Sequence, residues 1–334
     1  MRRFCLVVLL VFVSVRHVAA DKGDIIARIE MAHLRYAEKT ANIVVYSVEQ
    51  RVNGELAARV FWRSGNHFKL HSSRFKSLAD VDFQAVAVTP SIVESYGREY
   101  MFRLTRPTPV AELVVRRIHL NATPEDRAAY DSSLNGRLAQ GVGAATSVMG
   151  VPLITMLNWP NVQLGDVVES EETIAITFSI PQIPDSPDGT AVISARVEMT
   201  NDDFLCIKSL DYKYTGVQDG KTFFHFDSSR LTYDEEIAGG LIPATSSESS
   251  GASSESIEDA VKAGKETLVT TCEKVDVGGV TDEMFLPSFY GLPNHLVGLD
   301  EPRGWPWIWW LIGSLNFMLL AIWLLRRYRM RSKA

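Results

Sequence analysis

Trp305 to Leu325 is a run of 21 residues without a charged side chain, and it limits the fold of this chain more than any other feature. Hydrocarbon offers no water to satisfy backbone N–H and C=O groups, so a single apolar segment of this kind is stable there only as a helix. Its length matches a bilayer core of roughly 30 Å. Arg326, Arg327, Arg329, Arg331 and Lys333 follow at once, and basic flanks mark the cytoplasmic side. Trp305, Trp307, Trp309 and Trp310 suit the opposite headgroup level. Within the run, Gly313 and Ser314 allow close helix contact, and Asn316 either supports helix association or stands alone.

The other end is an export signal by pattern. Arg2 and Arg3 precede an apolar run from Phe4 to Val15, and Val18-Ala19-Ala20 gives small residues ahead of Asp21. The expected organisation is a signal peptide over 1–20, an extracytoplasmic domain over 21–304, a transmembrane helix over 305–325 and a basic cytoplasmic tail over 326–334. This describes a single-pass protein of the cytoplasmic (inner) membrane, with its N-terminal domain outside the cytoplasm and its C-terminus inside. A tail this short leaves no room for a signalling domain, so any signal is expected to pass through a partner.

The formal charge of −6 includes three basic residues in the signal segment and five in the tail, with no acidic ones, so the ectodomain carries −14. Phosphate backbones demand clustered Lys and Arg, and this balance argues against nucleic acid. Cys5 leaves with the signal. Cys206 and Cys272 remain; in an oxidising compartment they are a disulfide candidate, with a buried free pair as the alternative. Two cysteines cannot staple so long a chain, so an apolar core must hold it.

Along the ectodomain the periodicity changes twice. Ile25, Ile26, Ile29, Ala32, His33 and Tyr36 fall at helical spacing and predict an amphipathic helix over 24–39. Asn42 to Val52 and Glu55 to Arg63 are β-prone on either side of Asn53-Gly54, a hairpin turn signal. Further strands are expected at 67–71, 83–89, 92–95 and 99–104. The segments 109–120, 124–138 and 149–159 read as helical, and strands resume at 173–180, 191–200, 204–214 and 221–233. Turn signals separate these at Asp188-Gly189, Asn201-Asp202-Asp203 and Asp219-Gly220. Ala244 to Ser256 is Ser-rich and reads as a flexible loop. A short helix at 257–265 and a strand at 267–275 close the series. Helix, antiparallel strands, a helical insert and more antiparallel strands make an α+β protein.

This order resembles the lipoprotein-carrier family of the LolA and RseB type. The likeness rests on the opening helix running into the hairpin Ile43 to Arg63 with its Phe61-to-Leu70 aromatic strand and polar turn. It rests also on the meander Phe204 to Tyr233, and on Phe285 to Pro293 with Phe-Leu followed by Tyr-Gly-Leu-Pro. The resemblance implies a curved antiparallel sheet, a half-barrel wrapping helices around an apolar cavity for acyl chains. A membrane helix, the Ser-rich stretch and the helical insert set this chain apart from the family.

Catalytic patterns are lacking: there is no His-Glu-x-x-His, no Gly-x-Ser-x-Gly and no acidic calcium loop. His67 and His71 lie four apart but lack the third and fourth ligands a metal needs. No metal and no cofactor is expected. Trp62, Phe68, Phe83, Phe102, Trp159, Phe178, Phe204 and Phe224 supply bulk either for an ordinary core or for a cavity lining. Arg98, Arg103 and Arg106 flank the later strands, as solvated edge charges or as contacts for anionic headgroups. The expectation is a non-enzymatic binding protein at the membrane that holds a lipid or the acyl chains of a lipoprotein. The alternative is an RseB-like envelope sensor that binds a protein partner.

Overall fold

A computed structural model describes residues 22–97, 100–108, 110–120, 142–148, 150–183, 191–218 and 221–297. The signal segment, the apolar run 305–325, the basic tail, the helix expected at 124–138, Arg98 and the turns at 188–189 and 219–220 lie outside the described residues. Among the described residues no helix is long and apolar enough to cross a membrane. The chain divides into two compact units, the first ending at Phe285 and the second beginning at Leu286.

The first unit opens with α1 (Lys22–Lys39). Ile25, Ile29, Ala32 and Tyr36 are buried at three- to four-residue spacing, while Arg28, Leu34 and Arg35 stay exposed. Asp24 in its first turn and Lys39 in its last complement the helix dipole. Among the described residues fifteen strands follow. They are β1 (Asn42–Arg51), β2 (Leu56–Ser64), β3 (His67–Phe75), β4 (Ile92–Tyr96), β5 (Tyr100–Thr105), β6 (Val114–Leu120), β7 (Ser147–Val148), β8 (Val151–Pro152), β9 (Gln163–Glu169) and β10 (Thr173–Ile180). Then come β11 (Ala191–Thr200), β12 (Ile207–Gln218), β13 (Lys221–Tyr233), β14 (Pro243–Ser253) and β15 (Lys265–Val277). Between them lie the short helices α2 (Phe83–Val88), α3 (Leu153–Leu157) and α4 (Ile257–Ala263).

Thirteen of these strands form one curved sheet in the order β6-β5-β4-β3-β2-β1-β15-β14-β13-β12-β11-β10-β9, and β7 and β8 pair separately. Both arms are meanders, β1 to β6 and β9 to β15. The first and last strands of the series join them, with Val45 opposite Val275 and a register shift at Tyr46/Ser47. The whole is an α+β protein dominated by an antiparallel sheet. The β1–β2 hairpin turns where expected, at Asn53-Gly54, with Gly54 at φ +82, the left-handed region that favours glycine.

Residues directly opposite in an antiparallel ladder share a face, so the registers sort the sheet. Phe178, Ala195, Tyr212, Asp227 and Ser250 stand in one row, and Leu210, Ser229, Glu248, Leu268 and Arg51 in the next. This is the inner face, against which α1 packs. Ile25, Ile29 and Ala32 meet Ile174, Ile176, Phe178, Val197 and Leu210, while Tyr36 joins Ile43, Val45, Phe61, Phe68 and Tyr96. The outer face buries Val44, Val60 and Trp62 under Val86 of α2 and under Val280 and Phe285.

Three expectations are corrected, and one strand is added. The strand expected at 83–89 is α2, because Asp82 caps it by accepting from Gln84 N and Ala85 N. The helix expected within 109–120 is strand β6, which among the described residues pairs with β5 alone. Gln163 to Glu169, assigned no element from sequence, is the opposite edge strand β9. The Ser-rich loop over 244–256 is largely strand β14, hydrogen-bonded on both sides to β13 and β15. Serine hydroxyls tolerate a half-buried ladder position, and two neighbouring strands outweigh weak local propensity.

The second unit is described over 286–297. It has two single 3-10 turns, Pro287–Tyr290 and Asn294–Val297. They are linked by Ser288 N donating to Asn294 Oδ1 at 3.0 Å, with Gly291 at φ +74 between them.

Candidate functional site

The middle of the inner face is polar. Strands β13, β14 and β15 bring Asp227, Ser229, Ser246, Glu248, Ser250 and Thr270 to a surface where the ends of the sheet carry Ile, Val and Phe. Burying hydroxyls and carboxylates without partners is unfavourable, and a cavity of about 490 Å³ stands over them. Val45, Ile207, Leu210, Leu231 and Ile242 give it an apolar side, and Ala144, Ser147 and Gly150 border it from the segment before α3.

Burial shifts two of its carboxylates upward from their ordinary values. Burial pushes Asp227 up, against a hydrogen bond from Tyr214 and the nearby His225. Partial desolvation raises Glu248 as well, with the charges of Glu49 and Asp227 adding and Arg59 opposing. The His225 ring stacks on Tyr214 at 4.8 Å.

A second cavity, about 590 Å³, adjoins the first at Arg59, which lines both. It lies over β1 to β5 and has a different character. Arg51, Arg59, Arg74, Arg103, Arg106 and Arg116 surround it together with Glu49, Glu55 and Glu94. Arg59 Nη2 pairs with Glu49, to which Arg51 Nε also reaches at 3.2 Å. Arg103 Nε meets Glu94 at 3.4 Å, and Arg74 Nη1 meets Glu55 at 3.5 Å.

None of the eight expected aromatics lines either cavity. Trp62, Phe83 and Phe102 belong to the outer face: Trp62 lies edge-on to His71 at 4.6 Å, Phe83 to Tyr46 at 5.7 Å, and Phe102 stacks with Tyr100 at 6.3 Å. Phe68 is fully buried between Phe61 and Tyr96. Phe178 and Trp159 pack in the cluster below α1, and Phe204 packs beside Cys206 and Tyr36. Phe224 is half-buried on β13, opposite Thr215 and Ser253. Large rings at strand spacing fill the core here, and the groove is made by small hydroxyls and charges.

The cysteine candidates are two free, buried thiols. Cys206 precedes β12 directly and Cys272 sits in β15, with β13 and β14 between. Three steps of about 4.8 Å separate those strands, whereas a disulfide needs Cα atoms within about 7 Å. Burial raises both, Cys206 to about 12 and Cys272 to about 11. Of the two histidines, His67 Nδ1 lies 3.5 Å from Asp282 and His71 Nδ1 lies 2.9 Å from Ala87 O. Between them on the same face, Lys69 is 1% exposed, its Nζ 4.3 Å from the Trp62 ring centre.

Sequence reasoning missed Ser246, Glu248 and Ser250, since a Ser-rich stretch reads as a loop; Asp227 lay on an expected strand, but its place on the inner face follows only from register. One signal was available: Ala244 to Ser253 contains no Pro, Asn or Asp to break a strand. No protein-family model matches this sequence, and a comparison with curated proteins found no match.

Proposed function

We propose that this chain is a membrane-tethered, extracytoplasmic binding protein without catalytic activity, and that its ligand is a lipid or a lipidated segment held in the inner-face groove. In this reading the sheet acts as a half-barrel, and the single C-terminal span keeps the groove beside the bilayer. The observation that carries it is the two-sided cavity over β12 to β15. An acyl chain would lie against Val45, Ile207, Leu210, Leu231 and Ile242, and the polar part of an amphiphile would face Ser246, Ser250 and Asp227. The resemblance to lipoprotein carriers adds weight to the same reading.

The polar floor favours one second reading, an RseB-like sensor that binds a protein segment, because hydroxyls and carboxylates also suit peptide N–H groups and basic side chains.

The test uses the full chain extracted from membranes in a nonionic detergent, beside a Ser246→Trp variant that fills the cavity. Organic extraction and mass spectrometry are expected to find lipid species enriched with the wild type and depleted with the variant. Identical lipid profiles, meaning only lipid around the span, would overturn the lipid reading. Capture of one envelope protein by cross-linking, lost in Ser246→Trp, would favour the sensor.

A further inference from the structure

We propose that the arginine-lined end of the inner face is a binding site for a phosphate-type oxyanion. The first argument is charge. In an ectodomain carrying −14, the described residues that line the second cavity include six arginines and three glutamates and neither lysine nor aspartate, a local surplus of three positive charges among them. The ion pairs do not absorb that surplus. Each glutamate is matched by an arginine of the cluster, and Glu49 by two. Arg106 and Arg116 meet neutral acceptors: Arg106 donates to Pro90 O at 3.2 Å and Ala111 O at 2.6 Å, and Arg116 Nε to Thr105 Oγ1 at 2.9 Å.

Residue type and surroundings point the same way. A guanidinium presents five donors in a planar fork that fits two oxygens of a phosphate at once, which a lysine cannot do. Ser72, Ser73, Ser91 and Thr105 add neutral donors around the same space. The neighbouring cavity repels an anion through Asp227 and Glu248, so Arg59 marks the boundary at which negative charge is retained. A surplus of three suits a multiply charged phosphate better than a single carboxylate. The site needs no acyl chain and stands whether or not the groove holds lipid.

The experiment titrates the purified full chain in nonionic detergent with pyrophosphate, with dihexanoyl phosphatidic acid and with dihexanoyl phosphatidylcholine, by calorimetry. Pyrophosphate is expected to bind, more weakly as salt rises. Arg74→Gln/Arg116→Gln, at two exposed positions, should weaken binding about tenfold or more, while Arg196→Gln on β11 leaves it unchanged. Binding of phosphatidic acid alone, lost in the double variant, would assign the phosphate to a lipid headgroup. Hydrogen exchange of the wild type separates this site from the basic tail, because pyrophosphate should protect β3 to β6. The proposal falls if neither phosphate probe binds, if the double variant binds as tightly as the wild type, or if protection appears only elsewhere.

Discussion

Replacing Lys69 by Met should stabilise this protein at neutral pH. Lys69 is fully buried on the outer face, and burial lowers its ammonium from 10.5 to about 7. At about 1.4 kcal/mol per unit, keeping this amine in the folded state costs about 4 kcal/mol at pH 7 relative to the unfolded chain. The Trp62 ring at 4.3 Å returns part of that, about 2 kcal/mol at most for a desolvated cation–π contact. Methionine has nearly the same length and no charge to desolvate, so the expected gain is about 2–4 kcal/mol.

The pH dependence separates this cause from mere repacking. A base held below its unfolded value leaves the unfolded chain binding more protons from about pH 7 to 10.5. Wild-type stability therefore rises with pH across that window, by up to about 1.4 kcal/mol per unit. The variant lacks this slope, so its advantage is largest at and below pH 7 and fades towards pH 10. Urea unfolding of the full chain in detergent, followed by far-ultraviolet circular dichroism at several pH values, measures it. His71, held down to about 3 first by burial and then by the Lys69 charge, should also titrate higher in the variant. A Lys69→Met protein that is less stable at pH 7, or an advantage that stays constant from pH 6 to 9, would refute the reasoning.

Gly251→Ala should destabilise by about 1–3 kcal/mol, since a Cβ there would overlap the Ala260 carbonyl oxygen and crowd the Gly264 backbone; a neutral result in urea unfolding would mean that β14 does not pack against α4. Cys206 and Cys272 should resist maleimide in the native state and react after denaturation, with an intact mass showing no bridge, because burial raises both thiols. Asp227→Asn should gain stability at pH 7: burial raises the wild-type carboxyl, so its ionisation opposes folding above that value. The gain should shrink as pH falls towards about 4, and one that grows instead would show that the Tyr214 hydrogen bond dominates.

Much of the fold was legible where local and tertiary preferences agree. The stripe Ile25, Ile29, Ala32 and Tyr36 predicts α1, and Asn53-Gly54 between two β-prone runs predicts the β1–β2 hairpin. The errors share one cause, that neighbours decide marginal segments. Phe83 to Val88 has strand propensity, but the Asp82 cap and a buried Val86 against the outer face make it a helix. Ala244 to Ser253 has little propensity of any kind and becomes a strand because β13 and β15 leave a gap of one strand between them. The site was less legible than the fold, because its residues are distant in sequence and meet only through register. Glu49, Ala57 and Arg74 share a row across β1, β2 and β3, which single-sequence periodicity does not reveal. Arg103 and Arg106 were visible as charges near strand ends; that Arg103 faces Glu94 follows only from the β4–β5 pairing, and that Arg106 reaches the Pro90 and Ala111 carbonyls follows only from the fold.

The groove's chemistry also orders the questions to ask of its ligand. An open sheet of thirteen strands must curl, and the face it curls around would ordinarily be filled by apolar side chains. Here that filling is confined to the clusters below α1, and the central rows carry Ser, Thr, Asp and Glu instead. A purely apolar ligand would cover those groups without offering them hydrogen bonds and would bind poorly. A ligand bearing donors, cations or a phosphate offers them. The polar part of the ligand therefore governs affinity in this groove, and the acyl part contributes on one wall. Two variants make that order measurable: Ser246→Trp should reduce lipid retention while sparing pyrophosphate, and Arg74→Gln/Arg116→Gln should do the reverse. If Ser246→Trp abolished pyrophosphate binding as well, the two cavities would act as one site, and the division at Arg59 would be wrong.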